Sequence, residues 1–153
     1  MIMSFDELKI ALTAIASQDS GAPLIVETEH AMKGTDLEVT VPAERVVDAG
    51  HLVDQAKFAL EAITGIDWPE QGGIEIVYDY TCFAKGLRVT IRAFVNRLEA
   101  ELPSLSSIYP GANWHERETH DFFGVHFNGH PDLKPLLLPE DADFHPLRKD
   151  FSG

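Results

Sequence analysis

The sequence predicts an α+β fold with a small, mainly antiparallel or mixed sheet, helices on one face, and an extended, proline-spaced C-terminal segment. Two adjacent stretches, "GIEIVYDYT" and "GLRVTIRAFV", have strand character, and the chain opens with a capped amphipathic helix. Four of the nine prolines fall at positions 131, 135, 139 and 146. We therefore divide the chain into an α+β core domain, residues 1–127, and a C-terminal segment, residues 128–153.

Length, charge and cysteine content restrict the class of protein. At 153 residues and 17.0 kDa the chain is long enough for one domain with its own core. The single cysteine, Cys82, excludes a disulfide framework and a cysteine-ligated iron–sulfur cluster held by this chain alone. A net charge of −13 disfavours nucleic acids and anionic lipids as partners. Because the start lacks a signal pattern and no apolar run approaches about 20 residues, we expect a soluble, intracellular protein without direct membrane insertion.

The first third predicts a helix followed by a hairpin. Ser4 and Glu7 fit a capping box, and Phe5, Leu8, Leu12 and Ile15 repeat at helical spacing. The stretches "PLIVETE" and "TDLEVTVP" then favour two strands, with "MKG" in the turn between them.

The middle third contains one ambiguous element and two clear strands. The pattern from Ala43 through Val53 is helical, whereas periodicity leaves "KFALEAITGIDW" open between helix and strand. In the next two strands polar side chains occupy alternate positions, which predicts one solvated face of the sheet. Those side chains are Glu75, Asp79, Arg88, Thr90 and Arg92.

The stretch "NWHERETHDFFG", residues 113–124, invites a metal-site interpretation. Its histidines, His115 and His120, are five residues apart, so on a helix their rings point about 140° apart and cannot share one zinc ion. A looser site remains open, in which Glu116 and His120 bind a metal together with His126, His130 or His145. This alternative corresponds to a free-standing metal-dependent hydrolase.

The same stretch also fits an ordinary helix. Asn113 suits the N-cap, Glu116 the capping-box position, and Gly124 the left-handed position after the helix. The i, i+4 spacing predicts that Arg117 pairs with Asp121 beside the indole of Trp114, on a face shared with Glu118.

The C-terminal segment combines prolines with apolar residues. Proline at this density forbids a regular helix or central strand, so the segment should be extended. An extended stretch that carries Leu136, Leu137, Leu138, Phe144 and Leu147 needs a surface to cover it. That surface belongs either to its own domain or to a partner, and the packing argument does not distinguish these two possibilities.

Residues 107–151 resemble the signature region of a hydrophilic component of NADH-quinone oxidoreductase, respiratory complex I, namely its C subunit. The matching residues form three clusters of motifs. They are Trp114, Glu116, Arg117, Glu118, Asp121, Phe122, Phe123 and Gly124; Gly129, His130, Pro131, Asp132 and Leu133, followed by Leu136 and Leu137; and His145, Pro146, Leu147, Arg148, Lys149, Asp150 and Phe151. The stretches "VPAERVVD" and "ITGIDW" extend the resemblance upstream and favour a strand over residues 60–66.

The resemblance implies a non-catalytic subunit without cofactor or metal ligands of its own. It implies a parent complex that carries iron–sulfur clusters, uses NADH or another donor, and reduces quinone. This subunit would dock beside the large, hydrogenase-like quinone-site subunit and the iron–sulfur small subunit, at the cytoplasmic face of the membrane. The motif residues would lie at that interface, with Arg117, Arg148 and Lys149 as candidate ion-pair partners.

Three alternatives stay open beside this interpretation. The first is the equivalent subunit of a membrane-bound nickel–iron hydrogenase or a coenzyme F420-dependent dehydrogenase, in which similar modules occur. The second is the metal-dependent hydrolase, and the third is a free regulatory or binding domain.

Overall fold

A computed structural model describes residues 1–152. The helices and strands, in chain order, are α1 (Phe5–Ile15), β1 (Gln18–Asp19), β2 (Ala22–Pro23), β3 (Ile25–Glu27), α2 (His30–Lys33), β4 (Leu37–Thr40), α3 (Val46–Gln55), β5 (Ala59–Trp68), β6 (Gly73–Cys82), β7 (Leu87–Asn96), β8 (Glu101–Pro103), α4 (Ala112–Phe123) and β9 (His126–Asn128). Short 3₁₀ turns precede α3 and follow β5.

A five-stranded mixed sheet forms the centre of the molecule. Its strand order is β3-β4-β7-β6-β5, and every neighbouring pair is antiparallel except β4 and β7. Strands β6 and β7 pair over their full length, with Tyr78 opposite Ile91. The predicted α+β class with a mixed sheet is confirmed, and the ambiguous stretch after Phe58 is the strand β5.

The two faces of the sheet differ as the alternation predicted. Ile76, Tyr78 and Ile91 face a buried core that also contains Leu8 from α1 and Val53 from α3. The helices therefore cover one face.

The opposite face carries the polar side chains. Arg92 contacts Glu75 at 3.2 Å and Glu38 at 3.3 Å, and Arg88 pairs with Glu61. These pairs link four strands on the half-exposed side of the sheet.

The N-terminal predictions are confirmed. The Glu7 N–H donates to Ser4 Oγ at 3.2 Å, and the Ser4 N–H donates to the Glu7 carboxylate at 2.8 Å, which completes the capping box of α1. Strands β3 and β4 form the expected hairpin, although the connection contains the short helix α2 before Gly34.

Helix α4 begins earlier than the sequence indicated. Its N-cap is Gly111, so Asn113 lies inside the helix and the predicted capping box between Asn113 and Glu116 is wrong. The physical reason is that a turn at Tyr109 already starts the helix, since the Ala112 N–H donates to the Tyr109 carbonyl. Ala112, the first residue of the helix, is buried in the core. The predicted end is confirmed, because Gly124 adopts φ 76° and its N–H donates to the His120 carbonyl.

The C-terminal segment begins within β9, which pairs in parallel with β8. From residue 129 to residue 152 it contains turns and bends but no helix or strand. The division at residue 127 stays a prediction. No helix within residues 1–152 has the length and apolar character of a membrane span.

Candidate docking surface on α4 and the C-terminal segment

Asp121 holds the first half of the C-terminal segment. Its carboxylate is buried and accepts hydrogen bonds from the backbone N–H groups of Leu136 and Leu137 at 2.7 Å and of Leu138 at 3.3 Å. The predicted pair with Arg117 is therefore wrong. Three converging backbone donors satisfy the carboxylate, and they come from a stretch that has no strand partner of its own.

Arg117 acts on the residues just before this turn. Its Nε donates to the Lys134 carbonyl and its Nη2 to the Pro135 carbonyl, both at 3.0 Å. The guanidinium lies 5.4 Å from the ring centroid of Trp114, so its expected position beside the indole is confirmed. Arg117 thus links an exposed aromatic residue on α4 to the segment backbone.

His130 joins the start of the segment to the start of α4. Its Nδ1 accepts from the Asp132 N–H at 2.9 Å, which leaves Nε2 to donate to the Asn113 carbonyl at 3.2 Å. This pattern assigns the neutral ring with the proton on Nε2. Pro131 and Asp132 are exposed, whereas Leu133 packs against the core.

His145 packs against the C-terminal end of α4. Its Nδ1 donates to the Asp121 carbonyl at 3.1 Å, and its ring lies against Gly124, where an added Cβ would lie 2.7 Å from Nε2. Gly124 therefore serves both the left-handed turn and the close approach of the ring. Pro146 is half-buried, and the Leu147 N–H donates to the Phe122 carbonyl at 3.1 Å.

Arg148 also bonds to backbone rather than to an acid. Its Nε donates to the Phe123 carbonyl at 2.7 Å and its Nη2 to the Arg97 carbonyl at 3.2 Å. Like Arg117, it donates to two carbonyls of its own chain, and the expected ion pairs of both arginines with a partner stay a prediction.

The end of the segment is fixed to the sheet by a buried ion pair that sequence reasoning missed. Arg97 donates to both oxygens of Asp67 at 2.7 and 2.8 Å. The Lys149 N–H adds a bond to Asp67 at 2.8 Å, and Asp150 accepts from Arg97 at 2.8 Å. Arg97 lowers the pKa of both carboxyl groups through these hydrogen bonds. No spacing pattern connects residues 67, 97 and 150.

The Lys149 side chain lies over Trp68, the residue that follows Asp67. Its Nζ lies 4.9 Å from the ring centroid of Trp68, at the end of β5. Lys149 is exposed, so it remains a candidate for contact with a partner.

Glu116 fixes α4 to the core. Its side chain is fully buried, and Oε1 accepts from Ser104 Oγ at 3.0 Å and from the Leu105 N–H at 2.8 Å. Within residues 1–152, Oε2 has no hydrogen-bond partner. Burial raises the pKa of Glu116 to about 7 despite these two bonds. Glu118, two residues later, is exposed.

The looser metal site is not assembled. No group of three or more histidine, cysteine, aspartate or glutamate side chains comes together within the described chain. Glu116 faces Ser104 and Leu105, whereas His120 Nδ1 contacts the Val125 carbonyl at 2.8 Å.

While Arg117, Asp121, His145 and Arg148 bond to their own chain, several apolar side chains of α4 and the C-terminal segment remain exposed. We call this set the outer face. It comprises Trp114, Leu137, Phe144, Leu147 and Phe151, which are between 40% and 65% exposed. Phe144 and Phe151 stack with their ring centroids 5.8 Å apart. Because α4 and the C-terminal segment are joined by hydrogen bonds, this set of exposed apolar side chains is a candidate docking surface.

Solved structures with a similar fold include a respiratory membrane complex. A chain of the archaeal membrane-bound sulfane sulfur reductase matches with a TM-score of 0.73 and 31% identity, over 86% of this chain and 79% of that one. The trypsin-resistant fragment of Nqo5 matches with a TM-score of 0.58 and 30% identity, over 71% of this chain and 88% of the fragment.

Sequence relatives agree with the structural neighbours. The NADH-quinone oxidoreductase C subunit of Roseiflexus castenholzii is 43% identical over 120 residues, which are 75% of this chain and 69% of that protein. The Rhizobium johnstonii protein of the same name is 38% identical over 92% of this chain and 72% of its own length. The sequence model described as "respiratory-chain NADH dehydrogenase, 30 Kd subunit" matches residues 39–153. The chain therefore belongs to the family of the 30 Kd subunit of respiratory-chain NADH dehydrogenase.

Proposed function

We propose that this chain is a non-catalytic docking subunit of a complex I-like oxidoreductase. In this role α4 and the C-terminal segment form a preformed surface that binds the large quinone-site subunit and the iron–sulfur small subunit. The observation that carries the proposal is the orientation of the motif. Arg117, Asp121, His145 and Arg148 hold the segment in place from within, and the outer face is left exposed.

The energetic reason for this arrangement is preorganisation. A segment that is ordered only on binding loses conformational entropy at that step, and this loss weakens association. Here the hydrogen bonds to Asp121 and Asp67 order the segment beforehand. Burial of the outer face against a partner then contributes to affinity without that cost.

The redox chemistry belongs to the partners in this proposal. A cysteine-ligated iron–sulfur cluster needs about four cysteines, and this sequence has Cys82 alone. The parent complex would carry the clusters, take electrons from NADH or another donor, and pass them to quinone. This chain would stabilise the assembly at the cytoplasmic face of the membrane.

A related parent complex is the second candidate. The likeness to a chain of a sulfane sulfur reductase, with a TM-score of 0.73, favours a relative of complex I with another donor or acceptor. Membrane-bound hydrogenases and F420-dependent dehydrogenases belong to the same group of candidates. In each of them this chain keeps the same docking role, and the accompanying subunits determine the overall reaction.

Affinity isolation tests the proposal. The tagged chain is purified from gently solubilised native membranes, and the co-purifying proteins are identified and quantified by mass spectrometry. We expect stoichiometric recovery of a hydrogenase-like large subunit and an iron–sulfur small subunit, and the remaining proteins distinguish complex I from its relatives. Recovery of the chain alone, in an amount that accounts for all of it in the cell, contradicts the docking role.

A further inference from the structure

Strand β5 has an open edge. It is the last strand of the five-stranded sheet and runs for ten residues, from Ala59 to Trp68. Among the described residues its backbone hydrogen-bonds only to β6. The other side therefore presents a row of free N–H and C=O groups, which is the template to which an added strand binds.

Helix α4 runs beside this edge and turns it into a groove. A cleft of about 120 Å³ separates them, lined on the strand by Ile63 and Gly65 and on the helix by Glu118 and Phe122. Leu147 of the C-terminal segment closes one side. Gly65 brings helix and strand close together, because a Cβ there would lie 2.7 Å from the Phe123 ring. The groove has room for a small side chain of a bound segment.

The edge is protected at its ends but not in the middle. A register shift between Leu60 and Ala62 interrupts the ladder at one end, and Lys149 lies over Trp68 at the other. Residues 62–66 between them, "AITGI", contain neither a charged residue nor a proline. Open edges of soluble proteins usually carry such charges, prolines or bulges. The middle of this edge has only helix α4 beside it, with the cleft between them, so this stretch indicates a pairing site.

Glu118 indicates which charge a segment bound at this edge would carry. It is exposed on the rim of the cleft and forms no ion pair with any described residue. Trp114 and Phe122 lie one turn before and after it on the same side of α4. A strand laid along β5 would pass this carboxylate, which favours a basic side chain on the incoming segment.

We infer that the β5 edge binds an extended segment of a partner subunit, which adds to the sheet as a further strand. The segment places a lysine or arginine near Glu118 and a small apolar side chain in the cleft. Strand addition is a common way in which proteins bind extended segments, with backbone bonds for affinity and side-chain pockets for specificity. The inference rests on the proposed function, because the segment comes from the same complex.

Hydrogen–deuterium exchange with residue resolution tests it, on the isolated full chain and on the complex purified through the tagged chain. We expect the outward amides of residues 62–67 to exchange at least about tenfold more slowly in the complex. Protection of the outer face without protection of β5 would overturn the inference and leave the docking role intact. Protection of neither region would overturn both.

A charge reversal supplies an independent test. Glu118→Lys places a positive charge at the rim of the cleft, where it would repel a basic side chain of the bound segment. The control is Glu29→Lys, which reverses the charge of another exposed acid, just before α2. Both sites are exposed, so the isolated variants should unfold like the parent chain. We expect Glu118→Lys to lower recovery of the complex by about tenfold and Glu29→Lys to leave it unchanged. Equal recovery with unchanged protection of β5 in Glu118→Lys would contradict the inferred basic segment.

Discussion

The Asp121 carboxylate, near the end of α4, accepts a hydrogen bond from the Leu136 backbone N–H at 2.7 Å, across 15 residues of sequence. The two following N–H groups converge on the same oxygen. A helix side chain thus provides the acceptor that a strand would otherwise provide, so the proline-spaced stretch is ordered without secondary structure.

Replacing Asp121 by asparagine should release this stretch. The substitution keeps the shape but removes the charge that strengthens three hydrogen bonds, so we expect a loss of about 1–2 kcal/mol. Faster amide exchange at Leu136, Leu137 and Leu138 would report it. The control is Asp132→Asn, at an exposed acid of the same segment. Unchanged exchange in Asp121→Asn would contradict the role assigned to this carboxylate.

Replacing Arg97 by glutamine should free the end of the segment more than Asp150→Asn does. Without Arg97 the carboxylate of Asp67 stays buried with one remaining N–H donor, whereas Asp150 is exposed. Limited trypsin digestion detects release of the segment end directly, because trypsin cleaves after Arg148 and Lys149. We expect early truncation there in Arg97→Gln only. Equal digestion of both variants would contradict the conclusion that Arg97 and Asp67 fix the end of the segment.

The same ion pair predicts acid sensitivity. Arg97 holds the pKa of Asp67 below its ordinary value. The stabilisation is therefore present above the unfolded pKa of the carboxyl and is lost as the pH falls through its lower folded pKa. Trypsin is inactive in acid, so amide exchange at Lys149 is the suitable measurement. Protection of Lys149 that is independent of acid pH would contradict this assignment.

The raised pKa of Glu116 predicts the opposite pH dependence of folding stability. This pKa rises from 4.5 to about 7 on folding, so the stabilisation by the protonated side chain is fully present below pH 4.5 and is lost as the pH rises through 7. The difference corresponds to about 3 kcal/mol of stability. Glu116→Gln keeps the acceptor for Ser104 and Leu105 but does not ionise. Free energies of unfolding at several pH values should show the parent losing stability relative to this variant between pH 4.5 and 7. Parallel curves would contradict the raised pKa.

Gly124 and Gly129 form a matched pair for the packing of His145. Both have positive φ, 76° and 84°, but only a Cβ at Gly124 meets another residue. Alanine at either site costs about 1–2 kcal/mol for the left-handed backbone. Gly124→Ala should cost a further 1–3 kcal/mol or so, because the ring must move and lose its bond to the Asp121 carbonyl. Equal free energies of unfolding for the two variants would show that His145 adapts freely.

Local patterns predicted much of this fold. The Ser4 capping box and the alternation in β6 and β7 are set by neighbours within a few residues or by the pleat of one strand, so the sequence displays them directly. The left-handed turn at Gly124 belongs to the same group.

Two site predictions failed because distant backbone competed with local spacing. Helical geometry brings Arg117 and Asp121 within reach of each other, yet each bonds the C-terminal segment instead. Glu116 likewise turns inward to Ser104 and Leu105. Spacing along a helix cannot reveal a chain that returns from elsewhere to lie on it.

The pair of Asp67 and Arg97 was missed for a related reason. Asp67 lies near the end of β5 and Arg97 directly follows β7, with β6 between these strands, so their contact depends on the sheet order. A signal was present in retrospect, since Asp67 falls on the buried side of β5 beside Gly65 and Ile63, where an unpaired acid would be costly.

The central claim is that the outer face docks the chain into its complex. Its most direct measurement is the amount of large and small subunit that co-purifies with a Leu137→Ser, Phe144→Ser double variant, compared with Phe83→Ser. Phe83 is 73% exposed and lies in the turn between β6 and β7, at the opposite end of these strands from Arg97, so it controls for loss of an exposed apolar side chain. We predict that the double variant recovers about tenfold less of both subunits while the isolated chain unfolds normally, and that Phe83→Ser recovers parental amounts. Parental recovery by the double variant would contradict the claim.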